Sequence, residues 1–245
     1  MRYLVISDIH ANLEALQAVL AEAGHFDHTL VLGDVIGYGA DPNAVVDRLR
    51  QIERVTFIRG NHDKVGAGLE TVSGFNHLAR QAIQWTATAL TDGNRSWVAA
   101  LPRGPVQIDD LVEICHGSPF DEDVYIFDEL DVRQAFTSGH RPLCLFGHTH
   151  VPAAFSLAAA TLQPVGPPRG TRFEIPLHAG TRYLVNCGAV GQPRDGDPRA
   201  AYGVVDTSAR TVTVVRVEYD VPLAQAKILA AGLPEVLAQR LAIGR

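Results

Sequence analysis

Residues 1–63, MRYLVISDIHANLEALQAVLAEAGHFDHTLVLGDVIGYGADPNAVVDRLRQIERVTFIRGNHD, alternate two kinds of segment. Tyr3–Ile6 is apolar and β-branched without alternation, the signature of a strand covered on both faces. Asn12 is placed to cap a helix from about Leu13 to Ala23, and Gly24 closes it. Thr29–Leu32 is a second buried strand. Asp41 as cap and Pro42 in the first turn then open a helix running to about Ile52. Val55–Ile58 is the third strand. A β-α-β-α-β order implies parallel strands joined by right-handed crossovers.

Beyond this unit the rhythm changes. Ser73–Leu90 and Asn94–Leu101 read as helices, with Gly93 between them and Pro102 as a stop. No strand is expected before about Leu111. The stretch of about residues 65–105 is therefore a helical insert, either a cap over a site or one more packed layer. Strands resume at Leu111–Cys115 and Leu143–Phe146. Between them, Asp121–Asp131 carries six acids in eleven residues and reads as a solvated acidic loop, with extra metal binding as the alternative. Gln163–Gly170 is a Pro/Gly-rich loop. Tyr183–Asn186, Ala201–Val205 and Val212–Val217 are strands, the last alternating and set for antiparallel neighbours. Two short helices, punctuated by Gly232 and Pro234, close a single domain spanning 1–245.

Composition narrows the class. The chain has 245 residues, 47% hydrophobic and 20% charged, as in an ordinary globular protein and unlike a disordered one. A net charge of −6 argues against a general nucleic-acid binder, although bound metals can reverse the field at a local phosphate site. Only Lys64 and Lys227 interrupt a basic set made of Arg, which reads as composition bias. Cys115, Cys144 and Cys187 form no CxxC pair, which suits a reducing compartment. Cys115 and Cys187 fall inside strand signals and read as small buried hydrophobes. The start of the chain lacks signal-peptide anatomy, and the apolar run Ala153–Leu162 is too short for a membrane span. A cytoplasmic protein with no membrane partner is expected.

Chemistry concentrates just past the strand ends. Strand one leads to Asp8 and His10, strand two to Gly33-Asp34, and strand three to Asn61-His62-Asp63. The strand after the insert leads to His116, and the next to His148 and His150. A lone His or Asp beside a strand is usually a cap. Five in chain order at the carboxyl edge, where open α/β sheets bind ligands, are not explained by capping. The mixed oxygen and nitrogen donors suit Mn²⁺, Fe, Zn²⁺ or Co²⁺ better than Ca²⁺, and the lack of thiolates argues against a structural zinc site. Strand-like alternation would put Asp8 with His10, and His148 with His150, on one side.

These blocks, Asp8-Ile9-His10, Gly33-Asp34, Gly60-Asn61-His62-Asp63, His116 and Gly147-His148-Thr149-His150, resemble in order and spacing the signature of the calcineurin-like metallophosphoesterases. The stretch NCGAVGQPRDGDPRA (186–200) is similar to the region after the last block in the small bacterial branch. The resemblance implies an α/β fold, a four-layer α-β-β-α sandwich of two mixed sheets. It implies one metal held by Asp8, His10, Asp34 and His150, and a second held by Asp34, Asn61, His116 and His148. Small-branch relatives often carry Cys where this chain has His62. The resemblance gives His62 the part of general acid, with Asp63 orienting it or tuning its charge. The cofactors implied are two divalent transition metals, Mn²⁺ first, with Fe, Zn²⁺, Co²⁺ or Ni²⁺ as alternatives.

The chemistry is coherent. Two metals about 3.5–4 Å apart can share one hydroxide and clamp phosphate oxygens. A positioned protonated His can contribute about 10²–10⁴-fold by supplying the leaving group's proton. Arg194 is a candidate substrate contact, against a salt bridge to Asp195 or Asp197. Asn12 is a weaker one, against its helix cap. Tyr38, Asn76 and His77 line the entrance or simply pack, and His25, His28, His140 and His178 receive no role. The expected activity is hydrolysis of a small nucleotide-type phosphodiester, with nucleic acid as a further substrate class. A phosphomonoesterase and a non-catalytic interaction scaffold are the alternatives.

Overall fold

The computed structural model describes residues 1–166 and 170–245. β1 (Arg2–Ile6) shows why its sequence does not alternate. Tyr3 and Val5 face one apolar cluster, with Leu30, Val112, Ile114, Leu143 and Val185. Leu4 and Ile6 face another, with Leu16 and Val19 of α1 (Leu13–Glu22) and Val45 and Leu49 of α2 (Pro42–Arg50). Both faces of the strand are thus dry.

One sheet orders β3 (Val55–Phe57), β2 (His28–Val31), β1, β11 (Ala200–Asp206), β12 (Thr211–Val217) and β9 (Arg172–Pro176). Its β1–β2 and β2–β3 pairs are parallel, and β11, β12 and β9 add antiparallel. The other orders β4 (Val106–Gln107), β5 (Val112–Ile114), β6 (Leu143–Phe146), β10 (Arg182–Asn186), β7 (Ala153–Ala158) and β8 (Thr161–Pro164). There β5–β6 and β6–β10 are parallel and the rest antiparallel. The cluster around Tyr3 and Val185 lies between the sheets. α6 (Glu129–Ser138) covers the outer face of the second sheet through Val132, Ala135 and Phe136 on Cys144, Phe146 and Leu184. This is the expected α-β-β-α sandwich of two mixed sheets.

Several local expectations are corrected. Strand β4 precedes Leu111, but two residues carry no readable pattern. The β7–β8 hairpin turns at Ala159 and Ala160, with φ of 44° and 69°, so the Asn-Gly type of turn signal is missing. Gln163 and Pro164 end β8 instead of opening a loop, and residues 167–169 of that expected loop lie outside the described residues. The acidic stretch is only partly a solvated loop. Asp128 caps α6 by accepting from Leu130 N and Asp131 N, and Glu122 is buried in a paired contact with Arg59. Gly93 lies inside α5 (Asp92–Ala99), which begins at the Thr91 cap and follows α4 (His77–Ala89). Asp41 stands at the start of α2 without a capping bond; its carboxylate accepts from Lys227 Nζ at 2.7 Å.

α7 (Val221–Ala230), α8 (Glu235–Gln239) and the 3₁₀ turn Arg240–Ile243 close the chain. They pack through Ala224, Ile228, Leu237 and Leu241 in one cluster with Tyr38 and with Ala79 and Ala82 of α4. Among the described residues no helix is long and apolar enough to cross a membrane.

Candidate metal centre

The parallel strands of both sheets end at one edge. β1 leads into Asp8 and His10, β2 into Asp34, and β3 into α3 (Asn61–Gly66), whose first residues are Asn61 and His62. From the second sheet, β5 leads into His116 and β6 into His148 and His150. Past the strand ends the backbone ladder continues, with His10 N donating to Asp34 O at 2.9 Å and Ala11 N to Val35 O at 2.9 Å. His148 N donates to both carboxylate oxygens of Asp8 at 3.1 Å, which joins the two sheets across the site.

Alternation does not aim these side chains. Asp8, His10, Asp34, His148 and His150 have φ between 48° and 65°, in the left-handed region. Each such L-residue stores about 1–3 kcal/mol of strain and persists where the surroundings over-determine it. Gly60 has a different reason. A Cβ there would lie 2.1 Å from Asp34 Oδ1, so only glycine lets the chain pass this carboxylate between β3 and α3.

The side chains converge into two groups that could hold cations, Asp8, His10, Asp34 and His150, and Asp34, His116 and His148. Within each group one ligand atom per residue lies within 4.8 Å of the others, and all are buried. Asp34 belongs to both. Asn61 Oδ1 lies 3.3 Å from His116 Nε2, beside the second group.

Hydrogen bonding assigns the ring protons. His10 Nδ1 faces Ile36 O at 3.1 Å, His150 Nδ1 faces Gln192 O at 2.7 Å, and His116 Nδ1 faces Leu32 O at 2.7 Å. A carbonyl only accepts, so each Nδ1 carries the proton and each neutral ring presents a lone pair at Nε2. The Nε2 atoms of His10 and His150 then face each other at 3.1 Å, and those of His10 and His116 each lie 3.5 Å from Asp34 Oδ2. His148 is turned the other way, its Nε2 meeting Asp123 O at 3.1 Å, which leaves Nδ1 as the donor atom. Acceptors facing acceptors in a buried space are unfavourable until a cation or a shared proton lies between them. The residues present therefore fit divalent metals, each imidazole already held by a backbone partner.

Burial and the carboxylates set the proton affinities. Burial raises Asp34, but the surrounding imidazoles of His116 and His62 outweigh it and hold the carboxyl well below its usual range. Burial pushes Asp8 up to about 6, with His116 opposing. Burial lowers His116, yet Asp34 and Asp8 more than offset this and lift it to about 10, so without a metal its Nε2 carries a proton toward Asp34 that a bound cation would replace. His10 and His150 are held well below the usual imidazole value by burial, as neutral ligands must be.

His62 is buried at the cluster's edge, with its ring 4.8 Å from His10, 4.5 Å from Tyr38 and 4.6 Å from Phe75. Its Nδ1 is buried without a partner. A buried N–H without an acceptor costs more than a bare lone pair, so the neutral ring keeps its proton on Nε2. Burial takes His62 down to about 4, with Asp34 opposing. Gly37 makes room for it: a Cβ there would lie 2.4 Å from Nδ1, and φ is already 92°. Gly37→Ala is expected to destabilise the fold by about 1 kcal/mol or more. It should also displace the His62 ring while bound metal stays near the wild-type level, as read by a thermal melt, elemental analysis and histidine NMR on one preparation.

Asp63 reaches His62 only through the backbone, and its expected role is corrected to that extent. Its carboxylate accepts from Val35 N at 2.9 Å, Ile36 N at 3.2 Å and Gly60 N at 2.9 Å, tying the loops after β2 and β3 together without bonding His62. Asn12 is corrected too. Its Oδ1 caps α1 through Ala15 N at 3.1 Å, and its Nδ2 donates to Gly191 O at 2.9 Å, so the chain itself uses this side chain. Arg194 does not pair with Asp195 or Asp197, which are taken by Arg216 and Arg199. Tyr38 is buried against His10 and His62, Asn76 caps α4 at the cleft, and His77 is exposed.

Sequence reasoning missed the second face of the cleft. Tyr125 stacks on His148 at 3.8 Å, and Asp123 supplies both the carbonyl that orients His148 and a carboxylate for Lys64. The signal was an aromatic inside an acidic stretch. Cys115 and Cys187 are buried, in keeping with their reading as small hydrophobes, and Cys144 is buried too, its Sγ 3.7 Å from that of Cys115.

Comparison with known proteins agrees with this geometry. Residues 1–210 match the calcineurin-like phosphoesterase superfamily domain. An uncharacterized protein of Methanocaldococcus jannaschii is 36% identical over 98% of this chain and 97% of its own length. The crystal structure of a metallophosphoesterase from Sphaerobacter thermophilus is 39% identical, with a TM-score of 0.86 over 100% of this chain and 99% of that one. A hypothetical protein of Pyrococcus horikoshii shares the fold at 21% identity, with a TM-score of 0.78 over 100% of this chain and 98% of that one.

Proposed function

The chain belongs to the calcineurin-like phosphoesterase superfamily, and from that footing we propose that it is a phosphodiesterase with a dinuclear metal centre, acting on nucleotide-type diesters. The observation that carries this reading is the pair of adjoining cation-demanding groups sharing Asp34. Asp8, His10, Asp34 and His150 would hold one ion, and Asp34, Asn61, His116 and His148 would hold the other. The mixed nitrogen and oxygen donors favour Mn²⁺, with Fe, Zn²⁺, Co²⁺ and Ni²⁺ also suited. Bound there, such ions supply Lewis acidity toward phosphate oxygens and lower the pKa of water to near neutrality.

The chain's own part is to place and proton-balance the reactants. As the imidazolium, His62 gives its Nε2 proton to the leaving oxygen as general acid and returns to the neutral ring. Burial lowers its proton affinity and a phosphate anion alongside raises it, since a nearby opposite charge favours the imidazolium. Asp63 is a positioning residue that fixes the loop carrying His62. Retention of the whole donor set and of His62 favours an enzyme over an interaction scaffold. The net charge of −6 favours small substrates over long duplexes. Three buried free cysteines suit work in a reducing cytoplasm.

The test compares bis-p-nitrophenyl phosphate with p-nitrophenyl phosphate, using chelator-treated protein with and without added Mn²⁺. Turnover that depends on metal and favours the diester is the expected result. A monoester preference would hand the site to phosphomonoesterase chemistry. Folded protein that binds two metals and turns over neither ester would count against the hydrolase reading.

A further inference from the structure

Arg194 and Arg240 are built differently from their neighbours. Arg59, Arg199 and Arg216 each pair with a carboxylate, of Glu122, Asp197 and Asp195 respectively. Among the described residues neither Arg194 nor Arg240 pairs with an acidic side chain. Their guanidiniums share the ring of Tyr38, at 5.6 and 5.3 Å from its centroid. They also share one acceptor, Gln192 Oε1, which takes Arg194 Nη2 at 2.9 Å and Arg240 Nη2 at 3.0 Å. Two positive forks, each half-buried, are thus held edge to edge by a neutral amide.

Further details mark this pairing as incomplete. Arg194 Nε is buried and has no acceptor. Arg240 Nε is satisfied by Arg245 O at 2.5 Å, which leaves the rest of its fork for Gln192 and for a ligand. Burial, and after it the charge of Arg194, pushes Arg240 down to about 10. Such a pair is unfavourable by itself and becomes favourable around an anion. A guanidinium's planar fork matches the oxygens of phosphate.

The pair also adjoins the metal cluster. Tyr38 separates it from His10 and His62, whose rings lie 4.7 and 4.5 Å from the tyrosine ring. Gln192 joins the two sites covalently, its side chain holding the arginines while its backbone carbonyl holds His150 Nδ1. The arginine pair and the histidine cluster therefore share Tyr38 and Gln192 as common walls.

We infer that Arg194 and Arg240 form an anion subsite for a second phosphate, so that the preferred substrate carries a diphosphate unit next to its scissile bond. This rests on the hydrolase reading given above and adds to it the substrate class, a nucleoside diphosphate ester in place of a lone phosphodiester. Arg240, from the last turn of the chain, becomes a specificity residue.

The test uses the metal-loaded full chain and two chromogenic esters, the p-nitrophenyl ester of AMP and the β-p-nitrophenyl ester of ADP. In both, water oxygen ends on the phosphorus bearing the aryl group, and p-nitrophenolate leaves with the electrons of the broken P–O bond. The wild type is expected to show the lower KM for the ADP ester. Arg194→Met and Arg240→Met should each shrink the ratio of kcat/KM for the two esters about 10–100-fold, the worth of a charge-assisted contact. Arg240→Lys, which keeps the charge and loses the fork, should recover part of it. A ratio within twofold of wild type in folded Met variants, checked by thermal melt, would overturn the subsite. If the wild type hydrolyses neither ester, the hydrolase reading fails, and calorimetric titration with α,β-methylene ADP judges the subsite separately. Binding lost in both Met variants upholds it; equal binding in all three proteins overturns it.

Discussion

Asp34→Ala is expected to empty the metal centre and to lower phosphoester turnover by at least about 10³-fold, since the ions supply several kcal/mol of transition-state stabilisation and each 1.36 kcal/mol is tenfold. The reason is its double membership: both cation groups include Asp34, so one substitution removes a charged donor from each. Elemental analysis after gel filtration should show metal falling from about two equivalents toward none. Asp34 Oδ1 also accepts from His62 N at 2.9 Å, so the alanine variant loses a backbone anchor as well. Asp34→Asn separates the two effects. It keeps an oxygen for that amide and loses the charge, and it should melt closer to wild type while binding little metal. Two equivalents of metal retained in Asp34→Ala would refute the shared-ligand assignment.

His62→Ala should do the opposite, keeping the metal and losing the rate. With an alkyl leaving group the expected fall is about 10²–10⁴-fold. With p-nitrophenolate, which departs without a proton, the fall should be much smaller. That contrast identifies proton donation and cannot arise from general disorder at the site. Removal of the ring leaves a space between His10, Tyr38 and Phe75. His62→Gln fills it without restoring the acid, and it should share the alanine variant's leaving-group dependence. An alkyl diester hydrolysed by either variant at the wild-type rate would end the general-acid role.

The sequence carried the first β-α-β-α-β unit and the donor-bearing strand ends because those signals are local. Unalternating strands such as Tyr3–Ile6 and caps such as Asn12 announce themselves within a few residues. Much of the edge of the second sheet was not legible for the same reason in reverse. β4 is two residues long, and β7 is an alanine-rich strand whose hairpin turns on Ala159 and Ala160. The donor residues could be named, but their aim could not. Their side chains are oriented by left-handed backbone and by carbonyls of Ile36, Leu32 and Gln192 that are remote in sequence or carry no side-chain signal. Asp63 looked like a partner for its neighbour His62, yet tertiary packing gave its carboxylate to three amides. Arg240 and Tyr125 were invisible because nothing in a helix end or an acidic stretch says what it folds against.

The left-handed backbone at Asp8, His10, Asp34, His148 and His150 also limits how this chain can change over evolutionary time. Asp, Asn and His are the L-residues that tolerate that conformation best, and they are also good metal ligands, so each position is selected twice by one alphabet. A lineage drifting away from catalysis meets an uneven set of neighbours there. Gly and Asn are open to it at little conformational cost, whereas Val, Ile and Thr bring a branched β-carbon into a forbidden region. Descendants that abandon the metals should therefore show glycine and asparagine at these five positions well before they show aliphatic residues, with the loops keeping their shape after their chemistry has gone.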